Sequence, residues 1–381
     1  MNLIDAGRTV RYNARAGIST LLVSGSGMGK SQKLWAEAYA FKADCEAKGL
    51  TCGHGQIFMA TQTPPDFIGY QFKGEKIFDM GNGEKRSVVV TEASCPLWMI
   101  STEGKPAWMY DRFFLIIDEY GQGDLDTKRC GAEIFLNHGT AGAGYLPQGS
   151  VVTAASNEGS RYGVNKDFDF CVTRRSLIRI HGDPLKTVEH FDVPYDFHGR
   201  KWRVMPVVRN WAARHPEFLF EKEPEEQGPW GNPRAICAAS RFLDCVAEDN
   251  NGTIPYNDSL VVENLQGIMG PGATMSLCTD LAFLTEIPSK ADVVADPDNC
   301  PVPEKADLKL LMIYQLAGYA EPDEINAITK YLKRLKAKDM EVTFVSSLLR
   351  RDYKAFINLP ALQAWINQNS MLITVVGSLS R

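Results

Sequence analysis

Residues 20–31 read Thr20-Leu21-Leu22-Val23-Ser24-Gly25-Ser26-Gly27-Met28-Gly29-Lys30-Ser31, a short apolar strand that runs straight into a glycine-rich loop and then into a helix-forming stretch over 31–48. The order of residue types states a chemistry. Glycines let successive backbone N–H groups curl round a β-phosphate, a lysine reaches the β- and γ-oxygens, and a hydroxyl ligates Mg²⁺. Gly25, Ser26, Gly27, Met28, Gly29, Lys30 and Ser31 are therefore the candidate nucleotide-binding residues, with Ser31 also a candidate metal ligand. The helix behind the loop would aim its positive end at the same phosphates. Ser24 stands where the usual G-x-x-x-x-G-K-[ST] pattern has glycine, and Gly25, Gly27 and Gly29 keep the loop permissive.

A second motif supports the first. Residues 113–119 are Phe113-Phe114-Leu115-Ile116-Ile117-Asp118-Glu119, a continuous apolar run suited to a buried parallel strand and closed by two acids. Ligands of open α/β sheets bind at the carboxyl ends of the strands, where these acids would sit. Asp118 is placed to hold Mg²⁺ through water, and Glu119 to orient and deprotonate an attacking water. Residues 150–157 form another buried-strand pattern ending in Asn157, which could reach a γ-phosphate or the lytic water, although an asparagine there is also an ordinary turn residue. Thr173-Arg174-Arg175 then precedes a further strand, and a nucleotide at a subunit boundary could take one of these arginines as a finger supplied in trans.

In chain order, Lys30, Asp118 with Glu119, Asn157 and Arg174 resemble the phosphate loop, strand-end acids, sensor asparagine and arginine finger of AAA+ ATPases of the MoxR group. Pro64-Pro65-Asp66-Phe67-Ile68-Gly69, Tyr145-Leu146-Pro147-Gln148-Gly149, Asn210-Trp211-Ala212 with His215-Pro216, and Asn232-Pro233-Arg234 resemble segments of a branch frequent in phage and bacterial genomes. The resemblance covers about 18–369, its C-terminal part through diffuse patterns. It implies a Mg²⁺-dependent ATPase that assembles into a ring of six and remodels or chaperones a protein partner. It also implies that Arg234 acts as a second sensor from a helical lid. Members of this branch are commonly encoded beside a von Willebrand factor A-like protein, which is the partner implied. Two departures stand out: the finger context is Thr173-Arg174-Arg175, so either arginine could serve, and the sensor pair is Asn157-Glu158.

The expected architecture is α/β. An AAA+ core over 1–185 has strands near 20–24, 56–60, 113–117, 150–155 and 177–180 in a parallel sheet with helices on both faces. A helical lid over 186–250 and a C-terminal helical region over 251–381 follow, with helical patterns at 205–220 and 233–248 and breaks at 267–272 and 297–303. Residues 70–110 interrupt the rhythm, because Lys76-Ile77-Phe78-Asp79 and Arg86-Ser87-Val88-Val89-Val90 around a Gly81-Asn82-Gly83 turn read as a hairpin. Such an insertion could line a pore, touch a partner or be a surface loop.

Composition narrows the class. The chain has 381 residues, 44% of them hydrophobic and 23% charged, enough for a sizeable core and against disorder. A formal charge of −5 argues against a chain dominated by nucleic-acid contacts. The 9 cysteines lack C-x-x-C pairs and zinc spacing, and the 6 histidines make no metal or triad signature. Neither a leader nor an apolar run of membrane-spanning length is evident, so the expected location is the cytoplasm, the host's if the chain is phage-encoded. The alternative function is a nucleic-acid motor or a replication or packaging accessory, hinted at by Lys73, Lys76, Lys85 and Arg86 at the hairpin. A slow nucleotide-binding scaffold is a third reading, against which Glu119 argues.

Overall fold

The computed structural model describes residues 1–81, 83–159, 164, 167, 169–250 and 252–369. The chain divides into two compact units, Met1–His181 and Gly182–Arg381.

In the first unit the elements in order are α1 (Leu3–Arg15), β1 (Thr20–Ser24), α2 (Lys30–Glu46), β2 (Cys52–Phe58), α3 (Pro64–Ile68), β3 (Gln71–Asp79), β4 (Lys85–Ala93) and β5 (Arg112–Asp118). Next come α4 (Leu125–Asn137), β6 (Gly139–Thr140), β7 (Gly144–Tyr145), β8 (Val151–Asn157), α5 (Asp169–Val172) and β9 (Ser176–Arg179). Strands β2, β5, β8, β1 and β9 form one sheet in that spatial order, and every pairing in it is parallel. The expected five strands are present, with β2 starting four residues before its expected 56.

The continuous apolar run of β5 follows from burial on both sides. Phe113, Leu115 and Ile117 pack with Leu21, Val23, Val152 and Ala154 against Ile134 and Phe135 of α4 and Phe67 of α3. Phe114 and Ile116 point the other way, with Leu22, Ala155 and Ile178, against Ala6 and Val10 of α1 and Leu34 and Ala38 of α2. Period-two alternation along each strand thus feeds two apolar layers, with helices on both faces of the sheet. Helix α1 precedes the first strand that the sequence pattern marks; Asn2 caps it by accepting a hydrogen bond from the Asp5 N–H at 2.9 Å.

The expected hairpin is β3 paired antiparallel with β4, from Gln71 opposite Ala93 to Asp79 opposite Lys85. Asn82 of its turn lies outside the described residues. The ribbon is exposed along nearly its whole length, including Phe72, Ile77, Phe78 and Val89.

The second unit begins with α6 (Pro184–His190) and a short hairpin of β10 (Tyr195–Phe197) and β11 (Arg200–Trp202), turned by His198 and Gly199 at φ +50° and +76°. Helices α7 (Pro206–Arg214), α8 (Pro233–Asp249), α9 (Ser259–Met269), α10 (Pro271–Ala282), α11 (Lys290–Ala295) and α12 (Ala306–Tyr319) follow. The chain continues through α13 (Ile325–Arg334), α14 (Lys338–Arg351), α15 (Tyr353–Phe356) and α16 (Pro360–Gln368). The helix expected over 205–220 stops at Arg214, because the residue before Pro216 is driven out of the helical region. The break expected over 267–272 is confined to Gly270, at φ +84°. Helix α12 is apolar on opposite sides: Leu311 packs with Val207, Trp211 and Leu277, while Met312, Ile313 and Leu316 pack with Ile328, Phe344 and Leu348.

Ile116 is fully buried, whereas Ile77 on the ribbon is 72% exposed. Ile116→Ala is expected to lower unfolding free energy by about 2–5 kcal/mol. Ile77→Ala should change it by no more than about 0.5 kcal/mol. Urea unfolding of the two variants checks the contrast.

Candidate functional site

Parallel pairing brings the polar strand ends together. Ser24 at the end of β1 lies opposite Asn157 at the end of β8, and Phe58 of β2 lies opposite Asp118 of β5. Between β1 and α2 the loop turns on Gly27 and Gly29, whose φ values of +76° and +81° are left-handed and suit glycine. Gly29 caps α2 without a side-chain hydrogen bond, and the first turn of α2 carries no acid. The N-terminus of this 17-residue helix, with a glycine at its cap and no acid in its first turn, faces the loop, a geometry that suits an anion.

Lys30 is only 7% exposed. Its ammonium donates to Ser24 Oγ at 2.9 Å, the Gly25 carbonyl at 2.8 Å, Asn157 Oδ1 at 3.0 Å and, more weakly, the Ser24 carbonyl at 3.3 Å. Ser24, the departure from the usual loop pattern, thus supplies an acceptor to the loop lysine. Its own hydroxyl donates to the Gly25 carbonyl at 2.9 Å.

Ser31 Oγ donates to Asp118 Oδ1 at 2.9 Å, and the Glu119 N–H donates to the same oxygen at 3.0 Å. A hydroxyl and a carboxylate in contact form an oxygen donor set suited to Mg²⁺. Asp118 Oδ2 accepts from Gln56 Nε2 at 3.1 Å, and Gln56 Oε1 accepts from Trp35 Nε1 at 3.2 Å. Neither Gln56 nor Trp35 belongs to a motif legible in the sequence. The available signal was a lone amide in an otherwise apolar or glycine-rich strand.

Glu119 adopts φ +51°, a left-handed conformation uncommon for a side chain with a Cβ, and caps a short 3₁₀ turn over Tyr120–Gln122. Among the described residues no donor reaches its carboxylate. The site therefore gathers Lys30, Ser31, Asp118, Glu119 and Asn157 at the carboxyl ends of the central strands β1, β5 and β8.

The structure separates the two candidate finger arginines. Arg175 is buried: it donates to the Cys171 carbonyl at 2.7 Å, pairs with Asp167, and lies over the rings of Tyr120 and Phe135 at 4.7 and 5.1 Å. Asp167 also meets the buried Lys128 at 3.1 Å. Arg174 is partly exposed, its guanidinium 5.1 Å from the centre of the exposed Phe170 ring. Arg234 lies in the second unit, exposed in the first turn of α8, a helix capped by Asn232, which accepts from the Ala235 N–H at 3.0 Å.

No family model matches this chain, and no curated protein does. Among solved structures it is similar to a Cytophaga hutchinsonii protein described as a candidate ATPase (14% identity, 70% of this chain and 80% of that one, TM-score 0.32). It is also similar to NtrX from Brucella abortus in complex with ATP (12% identity, 100% of this chain and 68% of that one, TM-score 0.35). A third is the ORC2 protein of Aeropyrum pernix in ADPNP–ADP complexes (11% identity, 88% and 84%, TM-score 0.35).

The contrast between the arginines has a measurable consequence. Arg175→Ala removes a buried ion pair and its ring contacts and is expected to cost about 3 kcal/mol, seen as a lowered thermal midpoint. Arg174→Ala should leave that midpoint within about 1 °C of wild type, since partly exposed side chains contribute little. Equal midpoints for both variants would contradict this assignment of burial.

Proposed function

We propose that the protein is a Mg²⁺-dependent, ATP-hydrolysing AAA+ ATPase of the MoxR type, working in a ring of subunits, six by resemblance, to remodel a protein partner. The observation that carries the reading is the lysine–asparagine contact: Asn157 Oδ1 lies 3.0 Å from Lys30 Nζ because β8 is inserted between β1 and β5. A generic glycine-rich turn gives no reason for a third strand to deliver an amide to the loop lysine.

In this reading the backbone N–H groups of the loop and of the start of α2 bind the phosphates, and Lys30 neutralises the β- and γ-oxygens. Ser31 Oγ and the Asp118 carboxylate would hold Mg²⁺, which when bound supplies further neutralisation of phosphate charge. Glu119 orients the attacking water and takes its proton. Asn157 orients the γ-phosphate or the water, and Arg174, partly exposed where Arg175 is buried, completes the site of a neighbouring subunit. Arg234 takes the second-sensor role, and a von Willebrand factor A-like protein the role of partner, on the resemblance alone.

The alternative, a nucleic-acid motor, would use a basic surface. The ribbon over 71–93 does not favour it: Lys73, Lys76, Lys85 and Arg86 are balanced by Glu75, Asp79, Glu84 and Glu92. Its exposed Phe72, Ile77 and Phe78 suit a protein surface better. Among the described residues no helix is long and apolar enough to cross a membrane.

Glu119→Gln is expected to bind ATP and lose at least about 100-fold in hydrolysis, because the base is removed while the metal-facing carboxylate remains. Lys30→Ala should lose nucleotide binding itself. Normal turnover in Glu119→Gln would sink the proposed base.

The shared-site element is tested by mixing. Arg174→Ala should bind ATP and hydrolyse it poorly, and adding Lys30→Ala subunits should restore part of the activity, since some interfaces then pair an intact loop with an intact arginine. Wild-type activity per subunit that stays flat down to demonstrably monomeric concentrations would overturn this mechanism. Stimulation of hydrolysis by DNA would favour the alternative.

A further inference from the structure

Asp118 is 8% exposed, and both of its oxygens are engaged from α2 by different routes. Ser31 reaches Oδ1 directly, at 2.9 Å. Trp35, one turn further along α2, reaches Oδ2 through Gln56, by hydrogen bonds of 3.2 and 3.1 Å. Residues four apart on a helix share a face, so one face of α2 addresses the whole carboxylate.

The direction of this relay follows from hydrogen-bond chemistry. An indole N–H can only donate, and an ionised carboxylate can only accept. The Gln56 amide lies between them, so its carbonyl must face Trp35 and its NH₂ must face Asp118. The flipped amide would set two donors against each other at one end and two acceptors at the other. Trp35 thus orients Gln56, and Gln56 holds Oδ2, leaving Oδ1 turned to Ser31. The indole is braced in turn by His54, edge-on at 5.3 Å, and by Tyr39 at 5.7 Å.

We propose that Trp35 and Gln56 are positioning residues that fix the Asp118 carboxylate for a divalent cation shared with Ser31. The inference rests on the nucleotide-site reading above and adds residues that the loop and strand-end motifs do not contain. Outer hydrogen-bond partners of metal ligands typically change metal affinity by about 10–100-fold. Without its amide partner the carboxylate is held through Oδ1 alone, by Ser31 and the Glu119 N–H, and Oδ2 can swing, so the carboxylate's orientation toward the cation is less well fixed.

The test is Mn²⁺ binding followed by electron paramagnetic resonance with ADP present, alongside ADP binding in EDTA. Gln56→Leu should weaken Mn²⁺ binding about 10-fold and leave metal-free ADP binding unchanged. The milder Trp35→Phe should weaken it in the same direction. The double variant should be no worse than Gln56→Leu alone, because both changes act through one hydrogen-bonded path. A structural effect unrelated to the metal would instead alter ADP binding in EDTA, or would add in the double variant, and either result overturns the proposal. If Asp118→Asn abolishes Mn²⁺ binding while Gln56→Leu and Trp35→Phe bind as wild type does, the positioning role alone falls. If the wild-type protein with ADP binds no Mn²⁺, the nucleotide-site reading falls with it.

Discussion

A lysine ammonium held at 7% exposure is the constraint on which the first unit depends. A buried cation must be met by oxygens or be paired, since its desolvation otherwise outweighs what packing returns. Among the oxygens that meet Lys30, three come from Ser24 and Gly25, close by in sequence, and one from Asn157, far away. The distant one is available only if β8 lies beside β1 in a register that sets Asn157 against Ser24. That pairing continues past the strand, where the Glu158 N–H donates to the Ser24 carbonyl at 3.0 Å. β5 is displaced one strand outward, and Asp118 is recovered by Ser31 on the helix that leaves the loop. Sheet order, register and the start of α2 therefore form one solution to a local electrostatic problem.

The sheet was legible because strands buried on both faces read as unbroken apolar runs with polar ends. β5 and β8 are of this kind, and the residues that end them are the ones the structure gathers. The apolar pattern makes β2 too short at its start for a physical reason. Its first half, Cys52-Gly53-His54-Gly55, looks like a loop, yet a Cβ on Gly53 would lie 2.6 Å from the Tyr110 ring, and one on Gly55 would lie 3.0 Å from the Ile100 carbonyl. Those glycines serve close packing rather than a turn. Gln56 escaped notice because its importance lies in its neighbours on α2 and β5, which no spacing along the chain reveals. The ambiguity between Arg174 and Arg175 was likewise beyond sequence, since adjacent residues of one type differ here only in burial.

The second unit illustrates a different limit. Its helices were visible as apolar periodicity, but charges hold several of them in place. Arg209 pairs with Asp192 through two hydrogen bonds of 3.0 and 3.1 Å, with its guanidinium 3.9 Å from the Tyr314 ring centre. Arg351 donates to the Ala317 and Gly318 carbonyls at 3.0 and 2.7 Å, and Arg203 also donates to Gly318, so the end of α12 is closed by two cations. Burial, together with the neighbouring Arg203, lowers the Arg351 pKa to about 10. The group stays charged at neutral pH, where it complements the negative end of the helix dipole. Read from sequence these arginines count as surface residues, because patterning treats every charge as solvated.

One buried cluster anchors the two turns on which the proposed mechanism relies. Tyr120 follows Glu119 directly and is 1% exposed, and its ring is faced by Arg175 at 4.7 Å and Lys128 at 5.2 Å. Burial raises the pKa of its hydroxyl, so the ring stays neutral between the two cations. Asp167 joins those cations to each other through ion pairs. Glu119 can hold its left-handed backbone only because its surroundings over-determine it, and the packing of the next residue is the evident means. Arg174 precedes Arg175 in the chain, so the turn that presents the partly exposed guanidinium is tied to the cluster that fixes the turn bearing Glu119. Tyr120, Arg175 and Asp167 therefore tie both turns of the proposed mechanism to one buried cluster.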